Sequence, residues 1–240
     1  WRPFSESTLR IRASYKDIFR VPTFTDLYYL RMGNTNLKPE ETSQYNVGVT
    51  WSSSCGDWLR HFSISADGYY NTVKDKIVAL PTMYVWKMMN MGEVDIKGVD
   101  VNLSTQFRLP LRMSLLLAST YSFQYAVDVT DPEAKNYKDQ IPYTPRHSGT
   151  VSVTLENPWV NVSYILTAVG DRYALPQNID RNRIDSYIEQ SISINRDFRF
   201  RYFGLRLQGE LLNLANVNYD VIQYYPMPGR SWRLSICLSY

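Results

Sequence analysis

YYPMPGRSWRLSICLSY, residues Tyr224 to Tyr240, carries the pattern on which the fold turns. From Trp232 every second residue is large and apolar, namely Trp232, Leu234, Ile236, Leu238 and Tyr240. Between them stand Arg233, Ser235, Cys237 and Ser239. A two-residue period puts alternate side chains on opposite faces, so the segment predicts a strand with one oily and one wet face. A soluble sheet must cover the oily face with a second layer, whereas a membrane β-barrel needs only lipid there. On the barrel reading Tyr240 sits in the aromatic girdle at the periplasmic end of the strand.

The same period recurs along the chain. TLRIRASY puts Leu9, Ile11, Ala13 and Tyr15 on one face, YNVGVTW puts Tyr45, Val47, Val49 and Trp51 there, and FSISADGYY adds Phe62, Ile64, Ala66, Gly68 and Tyr70. GVDVNLST sets Val99, Val101 and Leu103 against Asp100, Asn102 and Ser104. Val94 and Ile96 fall in the other phase, which predicts a bulge near Gly98. MSLLLASTYSFQY, TVSVTLE, VNVSYILTA, SYIEQSISIN and FGLRLQGEL continue the series, giving about ten strands with the final one. Many have the ~9–11 residues of a tilted bilayer crossing.

The connections alternate in length. Short ones fall at SSSCGDWLR, FRLPLR, ENPW and NRDFRFR; long ones are expected at 16–42, 72–90, 128–145, 170–183 and 215–229. Outer-membrane barrels sort their loops by end in this way. Arg10, Arg12, Asp67, Asp100, Arg206, Glu210 and Arg233 stand mid-strand opposite apolar residues, as a hydrated or plugged lumen requires. Alternation alone leaves a soluble sandwich open.

Composition agrees. Of the 240 residues 44% are hydrophobic and 14% aromatic, and the 19 Tyr and 6 Trp outweigh the 9 Phe. Tyr and Trp suit positions that are apolar on one side and wet on the other, as in girdles or on sugar-binding surfaces. No run approaches the ~18 apolar residues of a membrane helix. The net charge of +3 is spread without a basic run, which argues against nucleic acid as a partner. Residues 1–15 read as a turn entering a strand rather than as a signal segment, so the chain is expected to begin inside a larger structure. Cys55 and Cys237 match no zinc spacing and are not expected to pair.

FRVPTFTDLYYLRMGNTNLKPEETSQYNVGV (Phe19–Val49) resembles the Phe-Arg-x-Pro and Gly-Asn-x-x-Leu-Lys-Pro-Glu boxes of TonB-dependent outer-membrane receptors. NMGEVDIKGVDV, IPYTPRHSG and ELLNLANVNYDVIQYYPMPGRSWRLSI are similar to later segments of that family, in its C-terminal order. The resemblance implies an all-β, antiparallel transmembrane barrel of the ~22-strand, plugged type, of which this chain supplies about ten C-terminal strands across 1–240. It implies a place in the bacterial outer membrane, contact with outer-membrane lipid, and coupling to the TonB complex through a plug domain outside these residues. It also implies energised import of a nutrient ligand of siderophore-iron, cobalamin or glycan type. The family's haem importers carry a His between the two boxes; Thr23 to Gly33 holds none. A passive porin or adhesin barrel, or a soluble carbohydrate-binding β-domain, stays as the alternative.

No catalytic site, metal site or cofactor is expected. His61 and His147 have no acid or nucleophile at a usable spacing, and His147 reads as structural. Ligand contacts are expected from loop aromatics and methionines: first Tyr84, Trp86, Met88 and Met89 of MYVWKMM, then Tyr28, Tyr29, Tyr173, Tyr224 and Tyr225. The competing expectation is that these rings belong to the girdle or pack the loops together.

Overall fold

The computed structural model describes residues 8–239; the girdle position of Tyr240 and the turn expected at residues 1–7 lie outside them. In chain order the elements are β1 (Thr8–Arg20), α1 (Phe24–Tyr28), β2 (Glu40–Cys55), β3 (Leu59–Pro81), β4 (Trp86–Leu109) and β5 (Met113–Asp128). There follow β6 (His147–Glu156), β7 (Asn161–Val169), β8 (Arg172–Tyr173), β9 (Arg183–Ile184) and β10 (Tyr187–Arg199). The last are β11 (Gly204–Leu212), β12 (Asp220–Ile222), β13 (Tyr225–Pro226) and β14 (Ser231–Ser239). One antiparallel ten-stranded sheet runs in the order β1-β2-β3-β4-β5-β6-β7-β10-β11-β14, while β8 with β9 and β12 with β13 form small ladders inside two long loops.

Directly opposed residues of an antiparallel pair share a face, so the registers trace each face across the sheet. One row reads Leu9, Trp51, Ile64, Leu103 and another Ile11, Val49, Ala66, Val101, Tyr121. These rows form the apolar outward face, bounded above by Tyr15, Tyr45 and Tyr70, which contact one another in sequence. The next row up is Asp17, Ser43, Thr72 and Asp95, so polarity changes within one two-residue step. The inward face carries Arg10, Thr50, Ser65, Asn102, Thr120, Thr150 and Thr167, a wall of small hydroxyl and amide groups. On it Arg12 grips Asp67, with Nε to Oδ1 at 3.0 Å and Nη2 to Oδ2 at 2.6 Å. The pair spans the intervening β2 over Gly48, where a Cβ would collide with the Asp67 Oδ1.

Two expectations need correction. There is no bulge near Gly98: β4 keeps one register with β3 and with β5 through that position. The apolar phase changes because the strand leaves the apolar band. Above Gly98 the outward residues are Lys97, Asp95 and Glu93, and the apolar ones turn inward as Val94 and Ile96. Nor is 72–90 a loop. β3 and β4 stay paired up to Pro81 and Trp86, closed by the Thr82 amide on the Val85 carbonyl at 2.8 Å. The projecting hairpin supplies Val73, Met91, Val94 and Ile96 to a buried cluster that Ala126 of β5 and Ile141 of the following loop complete. Here the loop after β5 folds back along it, with the Ile141 amide on the Ala126 carbonyl at 3.1 Å and Val127 bridged to Gln140.

Candidate functional site

At the hairpin end five loops are tied together, and the motif boxes do much of the tying. Thr23 caps α1 in a capping box: its Oγ1 accepts from the Asp26 amide at 3.1 Å, and the Asp26 carboxylate accepts from the Thr23 amide at 2.9 Å. Arg20 joins Asp26 at 3.0 Å and Glu40 at 3.5 Å, and Glu40 accepts from the Ile77 amide at 3.1 Å. Burial alone would raise the Asp26 carboxyl, but the Thr23 hydrogen bonds and the Arg20 charge together hold it below the usual carboxylate range. Gly33 allows the loop to fold tightly, since a Cβ there would lie 2.5 Å from the Leu27 carbonyl oxygen. The loop is fastened to the hairpin by Asn34 Nδ2 on the Met88 carbonyl at 3.1 Å and by Asn90, which accepts from the Lys38 amide at 2.8 Å.

The closing loop is held in the same manner. Buried Asn213 donates from Nδ2 to the carbonyls of Val217 (2.8 Å) and Pro228 (3.2 Å), and its Oδ1 accepts from the Val217 amide at 2.9 Å. His147 accordingly has a structural partner, with Nδ1 2.8 Å from the Tyr121 hydroxyl.

Tyr143 is the hub. Its ring packs on Trp86 at the hairpin tip with centroids 5.6 Å apart, its amide donates to the Tyr173 carbonyl at 2.7 Å, and its hydroxyl meets the Gln223 backbone. Its φ is 58°, the left-handed region that a bulky residue adopts only when the surroundings force it. Burial raises the Tyr143 hydroxyl above its ordinary range, against the Gln223 hydrogen bond and the Arg172 charge.

Arg172 lies beneath this hub, only 3% exposed. Its Nη2 donates to the carbonyls of Asp220 (2.5 Å) and Val221 (3.1 Å), and its guanidinium lies over the Tyr187 ring at 5.6 Å. Buried Nη1 has no acceptor, and among the described residues no carboxylate pairs with this cation. A buried charge without a counter-ion costs on the order of several kcal/mol. Tyr187 in turn stacks on Tyr219 at 4.1 Å, and the Tyr219 hydroxyl donates to Glu189 Oε2 at 3.1 Å. Burial, with the hydrogen bond and charge of Glu189, pushes the Tyr219 hydroxyl up to about 12. A cavity of about 310 Å³ opens beside Tyr219, bordered by Arg183, Ser186, Asp220, Gln223 and Tyr224.

Against this geometry the expected ligand residues divide. Trp86 and Tyr173 both adjoin Tyr143. Met88 is tied by its amide to the Met32 carbonyl at 2.9 Å, while Met89 is exposed on the hairpin flank. Tyr84 stands at the exposed apex, Tyr28 and Tyr29 are exposed at the C-terminal end of α1, and Tyr224 and Tyr225 are exposed on the β12–β13 hairpin. Of those five only Tyr224 borders the cavity beside Tyr219. Tyr143, Arg172, Tyr187, Tyr219 and Glu189 were not singled out from sequence; the available signal was their position just inside or beside long loops.

Residues 1–214 match the family model described as TonB dependent receptor-like, beta-barrel. The vitamin B12 transporter BtuB of Photobacterium profundum is 27% identical over 236 residues, 94% of this chain and 34% of that protein. The vitamin B12 transporter BtuB of Vibrio vulnificus is 24% identical over 221 residues, 89% of this chain and 32% of its own length. Among solved structures the copper transporter OprC superposes with a TM-score of 0.71 at 16% identity, covering 98% of this chain and 37% of its own. The unliganded ferric citrate transporter FecA gives 0.71 at 12% identity, covering 99% and 37%. The chain thus spans about a third of the length of the curated relatives it matches.

Proposed function

The chain belongs to the TonB-dependent receptor-like β-barrel family, and from that membership we propose that it forms the C-terminal part of an outer-membrane wall whose mouth binds a scarce nutrient for energised import. The rest of the wall would pair with the sheet edges at β1 and β14, and a plug domain outside these residues would fill the lumen and engage TonB. The observation that carries the reading is the convergence of four loops on Tyr143, directly above a wall of hydroxyl and amide groups. Such a mouth offers rings for an apolar or planar surface, and buried Arg172 beneath holds the Asp220 and Val221 carbonyls of the closing loop that frames it, an arrangement that suits a bulky siderophore-iron, cobalamin or glycan ligand.

The test uses the complete receptor. Trp86→Ala and Arg172→Gln should each weaken uptake of the transported nutrient about tenfold, with cyanocobalamin, ferric siderophores and oligosaccharides assayed in parallel. Heat-modifiable gel migration should stay as in the wild type. Unchanged uptake of every nutrient, with a lowered unfolding midpoint for Trp86→Ala, would make these residues loop packing and remove the proposed site.

A further inference from the structure

The aromatic row Tyr15, Tyr45, Tyr70 continues on the outward face through Lys97 to Tyr125. Lys97 therefore stands in an otherwise aromatic row, at the level where the apolar band gives way to Asp17, Ser43, Thr72 and Asp95. Its Nζ lies 5.1 Å from the Tyr125 ring centre, and the Arg146 guanidinium lies 5.1 Å from the same centre. The ring thus holds two cations within twice that distance of each other. Lys138 shares with Lys97 a cavity of about 350 Å³, walled by Tyr70, Tyr125 and Val127, with Asp95 as its acid. Among the described residues Lys97, Lys138 and Arg146 form no ion pair.

A second observation adjoins the first. On the same face the row Tyr121, Gly149, Ala168, Ile188 sets two residues of little bulk between two large ones. The result is a largely apolar depression of about 300 Å³ that His147 and Gly170 also border. Three unpaired cations at the upper rim of the apolar band attract phosphate, and the neighbouring hollow accepts hydrocarbon.

We propose that this is a binding site for a phosphorylated lipid of the outer leaflet, its phosphate held by Lys97, Arg146 and Lys138 and one chain lying over Gly149 and Ala168. The proposal rests on the outer-membrane placement argued above. Arg146 is kept in reach by its Nε donating to Gln140 Oε1 at 3.0 Å.

The experiment delipidates the complete receptor in detergent, titrates it with bis-phosphorylated lipid A, and reads binding by native mass spectrometry; heat-modifiable migration tests the barrel separately. The double variant Lys97→Gln/Arg146→Gln should keep the shifted migration and bind lipid A about tenfold more weakly. Ala168→Phe, which fills the hollow without altering charge, should also weaken it, and Lys135→Gln, on the same loop but outside the cavity, should match the wild type. If the double variant loses the migration shift, Lys138→Gln in the exposed loop carries the same expectation. Equal affinity for wild type and charge variants, or for lipid A stripped of both phosphates, overturns the proposal. So does full competition by inorganic phosphate with no effect of Ala168→Phe, which would mean a simple anion site. A wild type that shows no heat-modifiable migration would refute the membrane placement itself.

Discussion

The β3–β4 pair obeys two sets of rules along its length. Below Tyr70 and Lys97 its large apolar side chains, such as Ile64, Val99 and Leu103, point outward, and Ser63, Ser65 and Asn102 point inward. Above that level the outward residues are Thr72, Lys74, Glu93 and Asp95, while Val73, Val94 and Ile96 are buried inside. The backbone ladder is continuous across the change, so hydrogen bonding does not distinguish the regions. What differs is the cover for the apolar face. In the lower region the proposed cover is lipid and one protein layer suffices. In the upper region the proposed surroundings are water, so the chain must supply its own second layer, and it does so by folding the loop after β5 onto the hairpin.

The largest effect that could break this comparison is expected in the upper region. Ile96→Ala removes a buried side chain from a cluster with little room to collapse and should cost about 2–5 kcal/mol locally. Hydrogen exchange at the amides of Lys138 and Ile141, which bond the Asp128 and Ala126 carbonyls, should accelerate, while amides of β6 below the rim stay protected. Uniform acceleration through the sheet would mean that the two regions are one cooperative unit.

A somewhat smaller effect sharpens the lower region. Val101→Arg places a cation on the outward face and should cost about 2–4 kcal/mol of insertion free energy if it lies near mid-bilayer. Asn102→Arg, one residue on, joins the inward polar wall beside Ser65 and should be tolerated. Folding of the complete receptor into lipid vesicles reads both, and equal tolerance would remove the lipid-facing assignment.

Much of the lower region was legible in the sequence because a two-residue period is a direct record of which face each side chain takes. Leu9, Val47, Ile64, Val101, Leu117 and Leu234 all fall on the face read for them. The same rule misled above the rim. Val94 and Ile96 kept the period but changed what covered them, which from sequence alone looks like a shifted register. The hairpin tip reads as a loop because MYVWKMM has no alternation, although the pairing of Lys87 with Leu80 and Met89 with Val78 does not depend on it. Tyr143 and Arg172 were illegible for another reason. The left-handed φ of Tyr143 and the burial of Arg172 arise where loops far apart in sequence meet, so no local pattern encodes them.

The smallest effect tests whether the upper region is held by its polar ties as well as by its cluster. Asp26 has a carboxyl held below the unfolded value of about 3.9, so its contribution is fully present above that pH and is lost as the pH falls through the folded value. Arg20 is shared by a second carboxylate, Glu40, at 3.5 Å. Asp26→Asn separates the two, since it removes the Asp26 charge at every pH and leaves Glu40 in place. Loss of this charged cap should cost about 1 kcal/mol of local stability. Protection of the Leu27 and Gly33 amides, corrected for intrinsic exchange, should therefore fall about fivefold in the wild type between pH 6 and the acid side of the transition. In Asp26→Asn it should start low and change less. If the variant shows wild-type protection at pH 6, the capping box and its arginine are incidental, and the Asn34 and Asn90 hydrogen bonds hold the β1–β2 loop against the hairpin without them.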